Sequence, residues 1–342
     1  MKPALTMRAV QLRDYSGSPA SLGVAEVPVP HPGPGEVLVR VFASPVNPSD
    51  LSFIRGMYSF RKPLPAVPGF EGCGTVVSSG SGLLPTLLKG RRVACSVSDA
   101  SARGGMWAEY TVASANRCVP LRKAVEMEQG ATMLVNPLTA WAIMHEIRRG
   151  RHRAAVITAA AGALGRMVIR LGRRMDVPVI GIVRRPEQMD VLRGMGVDHA
   201  LDSSHPEFDA RLRERCHSLG ATIAFDAISG EMSGRVLRAQ PKGSRLLIYG
   251  ALSESAAQLP PPSLIFEAKR VEGLWLSAWM RQRNILSQLS IARRIQGMVG
   301  SDLKSEIQAR RPLEEAVRGL EEYAANMTAG KVLLMPGLSA WC

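Results

Sequence analysis

The stretch Ala154-Ala155-Val156-Ile157-Thr158-Ala159-Ala160-Ala161-Gly162-Ala163-Leu164-Gly165 decides how this chain is read. Its first five residues are an apolar run of the length of a buried strand. Small residues follow without a break, and from Arg166 to Met175 the pattern becomes amphipathic and helical. A strand passing through a Gly/Ala turn straight into a helix opens a βαβ unit. Small side chains let the backbone turn sharply and approach a pyrophosphate, while the helix N-terminus offers unpaired N–H groups and a positive dipole end. Two glycines alone would also suit a sterically tight loop. Their place between strand and helix makes the dinucleotide reading, with Ala161, Gly162, Ala163 and Leu164 as the contacting segment.

The same texture continues outward. Val179-Ile180-Gly181-Ile182-Val183, Ala221-Thr222-Ile223-Ala224-Phe225 and Arg245-Leu246-Leu247-Ile248-Tyr249 read as further buried parallel strands, and Phe208 to Leu219 as an amphipathic helix. This alternation predicts an α/β fold with a doubly wound, Rossmann-type parallel sheet. The second strand ends at Arg184-Arg185-Pro186, about 20 residues past Gly165, where NAD-binding folds usually place an acid for the ribose 2′-hydroxyl. A carboxylate there would repel a 2′-phosphate, whereas guanidinium groups grip it with paired N–H bonds. Arg184 and Arg185 therefore point to NADPH rather than NADH, the alternative being a solvated surface pair. Tyr249-Gly250-Ala251-Leu252 falls at the carboxyl edge of the predicted sheet, where such folds bind ligands.

Residues 7 to about 120 differ: Val, Gly and Pro dominate, with alternating runs such as Glu36-Val37-Leu38-Val39-Arg40-Val41-Phe42. Pro28, Pro30, Pro32 and Pro34 read as an extended connector. Towards the end come a helical segment around Ile285 to Val299 and a closing strand, Lys331-Val332-Leu333-Leu334-Met335. The expected organisation is a discontinuous β-rich catalytic domain, residues 1–125 with 271–342, enclosing a cofactor domain at 126–270.

With 342 residues, 46% hydrophobic and 21% charged, the composition is globular. No apolar run reaches the ~20 residues of a membrane span, and Met1-Lys2-Pro3-Ala4-Leu5-Thr6-Met7 lacks a signal-peptide core, so a cytoplasmic protein without membrane partners is expected. Cys73, Cys95, Cys118, Cys216 and Cys342 form no Cys-x-x-Cys pair, which suggests free thiols rather than a disulfide framework or a zinc site. The net charge of +14 is spread out, and clusters such as Arg148-Arg149-Gly150-Arg151-His152-Arg153 fall where a helix should end. Without interleaved aromatics this pattern does not favour nucleic acid. It suits a phosphorylated cofactor and an anionic acyl carrier.

Gly33-Pro34-Gly35-Glu36-Val37-Leu38-Val39, Val46-Asn47-Pro48-Ser49-Asp50, Pro68-Gly69-Phe70-Glu71-Gly72 and Gly330-Lys331-Val332-Leu333-Leu334 give the chain a nearly full-length resemblance to the medium-chain dehydrogenase/reductase superfamily. The resemblance implies a GroES-like β-rich domain beside the Rossmann domain. Zinc-dependent members carry Gly-His-Glu where this chain has Gly69-Phe70-Glu71, a Cys near Asn47, and a four-cysteine lobe just past residue 90. Phe cannot ligate Zn²⁺, which needs three or four N, S or O donors, so no metal is expected.

Two zinc-free branches are similar: quinone reductases and mitochondrial-type enoyl thioester reductases. Val46-Asn47-Pro48-Ser49-Asp50 through Gly56-Met57-Tyr58 and Leu64-Pro65-Ala66-Val67-Pro68-Gly69 resembles the enoyl reductase segment, with Tyr58 at its catalytic tyrosine. Ser263-Leu264-Ile265-Phe266, followed by Glu272-Gly273-Leu274-Trp275-Leu276-Ser277-Ala278-Trp279, is similar to its Phe-Trp-Leu cofactor segment, Leu274 standing for Phe; Trp279 reads as core. Asn136, in Val135-Asn136-Pro137, matches an asparagine near the nicotinamide ribose, and Asn before Pro equally suits a helix N-cap. Lys331 matches a cofactor lysine, with a solvated strand-leading lysine as the alternative. The Gly-rich turn departs from the enoyl reductases, which carry Asn and Ser where this chain has Ala.

The resemblance implies hydride transfer from NADPH to Cβ of a 2-enoyl thioester, carried on coenzyme A or an acyl carrier protein. Negative charge then develops on the thioester oxygen and Cα. A phenol with a pKa near ~10 stays protonated at neutral pH and can donate there, the role implied for Tyr58. The competing reading of Tyr58 is a half-buried loop residue. Two competing functions stand beside the first: a quinone or enone reductase, and a non-catalytic NADPH-binding sensor or scaffold. A homodimer is expected through an edge strand near Arg245–Gly250 or Gly273–Ser277, as in similar proteins.

Overall fold

The computed structural model describes residues 6–97 and 103–338, so the first residues of the chain and Cys342 lie outside the described residues. The chain divides into two compact units: residues 1–135 with 292–342, and residues 136–291.

The first unit opens with a hairpin of β1 (Thr6–Leu12) and β2 (Leu22–Pro28). The prolines beyond β2 carry no strand, and β3 (Glu36–Pro45) follows. Helix α1 (Pro48–Ile54), β4 (Glu71–Ser79), α2 (Leu83–Leu88), β5 (Arg92–Ser96), β6 (Tyr110–Ser114), β7 (Cys118–Pro120) and α3 (Met127–Ala131) complete this leg. Val37, Val39 and Val41 alternate inward from β3 and pack with Val76, Val93 and Cys95, as a period of two requires. Cys95 and Cys118 are register partners across β5 and β7, with sulfurs 3.4 Å apart. They are free thiols, as are Cys73 and Cys216.

The second unit begins with α4 (Asn136–Arg149), which ends at Arg148 and Arg149. Then come β8 (Ala154–Ile157), α5 (Ala163–Arg174), β9 (Val179–Val183), α6 (Pro186–Gly194), β10 (Ala200–Asp202), α7 (Phe208–Leu219), β11 (Ala221–Asp226), α8 (Gly230–Ala239), β12 (Arg245–Ile248), α9 (Pro261–Ile265), β13 (Arg270–Gly273), α10 (Leu276–Arg281) and α11 (Ile285–Gln296). The six strands form one parallel sheet in the order β10-β9-β8-β11-β12-β13. Ala154, Val156, Ile180, Ile182 and Ala224 from its centre are fully buried, which explains their unbroken apolar runs.

The chain returns to the first unit as β14 (Ile307–Arg311), α12 (Ala316–Ala325) and β15 (Lys331–Leu334). The seven-stranded sheet there runs β14-β15-β3-β4-β5-β7. The outer edge of β3 is shared: β6 pairs with Glu36–Arg40, and β15 with Ser44 and Pro45.

Three readings need adjustment. The β-rich unit reaches Val135, not 125, because α3 belongs to it: Ala131 and Met127 pack against Cys73 and Ala43, and the Gln129 amide exchanges two hydrogen bonds with the Ser305 backbone. The parallel-sheet unit extends past 271 because Trp279 of α10 is buried there and donates to Glu146 of α4. Finally, Arg245–Gly250 is not an edge, since β12 lies between β11 and β13; the edge strand on this side of the sheet is β13, and residues 274–277 leave it for α10.

Candidate functional site

In the second unit the decisive turn has the form its sequence implies. Ala159 adopts φ +51°, and the Gly162 N–H donates to its carbonyl at 2.9 Å, closing the turn. Gly162 then caps α5, which starts at Ala163, three residues before the periodicity becomes amphipathic. A Cβ on Gly165 would lie 2.4 Å from the Ala160 carbonyl oxygen, so only glycine allows the helix to start this close to the strand. Ala161 is buried, whereas Gly162, Ala163 and Leu164 are partly open, and first-turn N–H groups have no partner within the helix.

Arg184 and Arg185 follow β9 at the same carboxyl edge, and both are exposed. Among the described residues neither guanidinium has a hydrogen-bond or ion-pair partner; the Arg184 N–H is held by Gln188 at 3.1 Å. Tyr249, Gly250, Ala251 and Leu252 leave β12 along this edge, with Tyr249 N–H bonded to the Asp226 carbonyl and Leu252 N–H to Ala227. Burial and the nearby Asp226 push the Tyr249 phenol up, so it stays protonated. Leu274 is buried, Trp275 is exposed and caps α10, and Leu276 begins that helix. Arg281 lies over the Trp275 ring and Arg283 over that of Trp279.

Asn136 is the first residue of α4 and nearly buried, rather than a cap preceding the helix. Among the described residues its amide makes no hydrogen bond.

The first unit holds Tyr58 and Lys331 in two adjoining clusters. Tyr58 lies in the loop between α1 and β4, half-buried, its ring 4.8 Å from Phe70 and 5.1 Å from Phe60. Phe70 stands where zinc enzymes carry histidine, and here it is a core residue that also meets Phe53 at 5.3 Å. Gly69, at φ +92°, presses on the Trp107 indole so closely that a Cβ would sit 2.4 Å away, which fixes the entry into β4. Among the described residues no three His, Cys, Asp or Glu side chains gather as a metal site.

Behind Phe70 sits a fully buried ionic cluster that the sequence reading did not assemble. Asp50 accepts from the N–H groups of Asn47 (2.9 Å) and Phe70 (3.0 Å). Glu71 accepts from Leu134 N–H (2.9 Å), Val135 N–H (3.0 Å) and the Asn47 amide (3.0 Å). Lys331 donates to the Asn47 side-chain oxygen and to the Val46 carbonyl. Lys331 is therefore not a solvated strand-leading lysine. Burial lowers its ammonium to about 8, opposed by Glu71 and Asp50. Burial raises Asp50 to about 7 despite its two N–H donors, and it raises Glu71 against the pull of Lys331. The only local signal was the Asn47-x-x-Asp50 spacing of a capping box.

Residues 33–123 match the alcohol dehydrogenase GroES-like domain family, and residues 163–290 the zinc-binding dehydrogenase family. A solved Mesorhizobium loti structure, of a proposed NADPH:quinone reductase, is 35% identical, with a TM-score of 0.91 over 98% of this chain and 100% of that one. A mycobacterial structure complexed with NADPH is 26% identical, with a TM-score of 0.82 over 96% of this chain and all of its own. The mitochondrial enoyl-[acyl-carrier-protein] reductase of Xenopus tropicalis is 26% identical across 92% of this chain and 91% of its own length; the human enzyme is 26% identical across 87% and 80%. No helix among the described residues is long and apolar enough to cross a membrane. With both folds in place and a 35% identical relative matched over its entire length, the chain belongs to the medium-chain dehydrogenase/reductase superfamily and is an oxidoreductase of that kind.

Proposed function

We propose that this chain is a zinc-free, NADPH-dependent reductase of activated C=C bonds, acting on trans-2-enoyl thioesters of coenzyme A or an acyl carrier protein. The observation that carries the reading is the replacement of a metal-ligand position by Phe70, whose ring instead seats Tyr58. The second unit fits the cofactor: a turn open only to glycine at Gly165, an α5 N-terminus facing the sheet's carboxyl edge, and two unpaired guanidinium groups after β9. Ala161 to Leu164 would hold the pyrophosphate, and Arg184 and Arg185 the 2′-phosphate. Asn136, Tyr249 to Leu252, Leu274 to Leu276 and Lys331 remain proposed cofactor positions. Lys331 would act by fixing Asn47 rather than by reaching a phosphate, because its ammonium is fully buried.

NADPH held by these residues would supply the hydride for Cβ. Tyr58 then donates a hydrogen bond or proton as charge builds on the thioester oxygen and Cα, the position where a preorganised donor helps most. The aromatic packing around its ring restricts where that hydroxyl can point. The 35% identical Mesorhizobium loti protein favours a second reading, reduction of quinones by the same hydride chemistry. A homodimer through β13 completes the proposal.

The test is a panel of enoyl-CoAs, quinones and enones with NADPH, repeated with Tyr58→Phe. The expected result is NADPH oxidation with crotonyl-CoA that falls by ~10²-fold or more in the variant. Unchanged turnover in Tyr58→Phe removes the assigned role. Consumption with benzoquinone but not crotonyl-CoA selects the second reading, and binding without oxidation of either selects a sensor.

A further inference from the structure

The strand order of the second unit reverses between β8 and β11: the chain steps from β8 outward to β9 and β10, then crosses back to β11 and continues to β12 and β13. Doubly wound sheets bind ligands at the carboxyl ends of the strands flanking such a reversal. Two buried polar side chains span this seam. Thr158, directly after β8, donates through its hydroxyl to Asp226 Oδ1 at 2.8 Å and accepts from Ala227 N–H at 2.8 Å. Asp226, the last residue of β11, also accepts from Ile228 N–H (2.8 Å), Ser229 N–H (3.1 Å) and the Ser233 hydroxyl (2.6 Å). Both side chains are fully buried. The carboxylate's acceptor directions are thus taken up by uncharged donors.

Each end of this bridge holds an unusual backbone. Thr158 immediately precedes Ala159, whose φ of +51° opens the turn into α5. Ser229 adopts φ +67°, ψ −156°, a region otherwise nearly confined to glycine, and Gly230 follows at φ +60°. Such strain persists only where the surroundings over-determine it. Here Asp226 binds the Ser229 N–H, and the Ser229 hydroxyl donates to the Ser255 carbonyl at 3.1 Å. One carboxylate therefore shapes the turns on both sides of the crevice.

We propose that the Thr158–Asp226 bridge is a positioning device for the dinucleotide, keeping the 159–162 turn and the 227–230 turn in register across the seam. The proposal rests on the NADPH reading above. Its test is fluorescence titration of NADPH with the full chain, comparing wild type, Thr158→Val and Thr158→Ser well below their unfolding midpoints. Valine keeps the shape and removes the hydroxyl, leaving Ala227 N–H without its partner. The expected result is a Kd at least about tenfold weaker for Thr158→Val, with Thr158→Ser within about twofold of wild type. A merely structural threonine would lower Tm in the valine variant and leave Kd unchanged, which overturns the proposal, as does a serine variant as weak as the valine. Should Thr158→Val not fold, Asp226→Asn, which keeps the volume and loses an acceptor, is expected to show the same weakening, and a wild-type Kd there overturns the proposal. If wild type itself does not bind NADPH, the cofactor reading falls and takes this inference with it. If wild type binds and Thr158→Val binds equally, only this inference falls.

Discussion

A phenylalanine at position 70 changes more than metal affinity. Its N–H is fixed by Asp50, its ring carries Tyr58, and its neighbour Glu71 anchors the backbone just ahead of Asn136. The substitution itself was legible in the sequence because one residue type excludes a ligand. The cluster behind it was not, since Asn47 and Lys331 are 284 residues apart and only the fold brings them together. Asp50 makes the cluster testable. Burial lifts its carboxyl from the usual 3.8 to about 7, so the native state binds that proton more tightly than the unfolded chain. Its contribution is complete below the ordinary aspartate value and is lost as pH rises through about 7. Carboxylates lowered by ion pairs, such as Glu322 beside Arg311, work in the opposite direction, gaining stability as pH rises. The informative quantity is therefore a difference. Urea unfolding between pH 5 and 7 is expected to show wild type losing stability relative to Asp50→Asn, by up to ~1.4 kcal/mol per pH unit. Parallel profiles for the two proteins would rule out a proton on Asp50 in this range.

Elements show why a buried strand and an amphipathic helix were readable and the order of strands in the sheet was not. Val179–Val183 and Phe208–Leu219 stand in the structure with the bounds that their periodicity gives. The edge was misjudged because strand order is a tertiary property: Arg245–Ile248 has the composition of an edge or an inner strand alike, and the pairing of Arg270–Gly273 places it inside. The true edge makes a sharper prediction. Arg270 and Leu274 donate their N–H groups inward, to Ser244 and Ile248. In a parallel ladder alternate residues face opposite sides, so the N–H groups of Val271 and Gly273 face the open edge. Ile265, Phe266 and Trp275 flank this strand in sequence, and all are exposed. In the proposed dimer β13 pairs with its copy through those outward groups. Proline is tolerated on an edge strand but cannot donate, so Val271→Pro should leave the inner ladder intact and release monomers. Sedimentation velocity checks it: a wild type at 36.9 kDa, or a variant still at twice that mass, is incompatible with pairing through β13.

The whole molecule carries a net charge of +14, and that surplus offers a rival account of any preference for NADPH. A diffuse positive field attracts every anion and favours the more highly charged cofactor without any dedicated site. A local grip by Arg184 and Arg185 acts differently, because it touches only the 2′-phosphate. Charge reversal of both residues separates the two accounts. Arg184→Glu with Arg185→Glu removes two units of charge per substitution, leaving +10 from +14, so most of the general field survives. If the field were responsible, the double variant would keep its preference for NADPH, and in both proteins that preference would shrink as salt screens the surface beyond a Debye length of ~8–10 Å. If the guanidinium pair is responsible, NADPH should lose at least about tenfold in affinity while NADH changes little, because each charge-assisted contact contributes ~1.5–3 kcal/mol. Titrating both cofactors at low and at moderate salt, in wild type and in the double variant, decides between a field that belongs to the whole chain and a site that belongs to the end of β9. Equal losses for NADPH and NADH in the variant would remove 2′-phosphate recognition from these two residues.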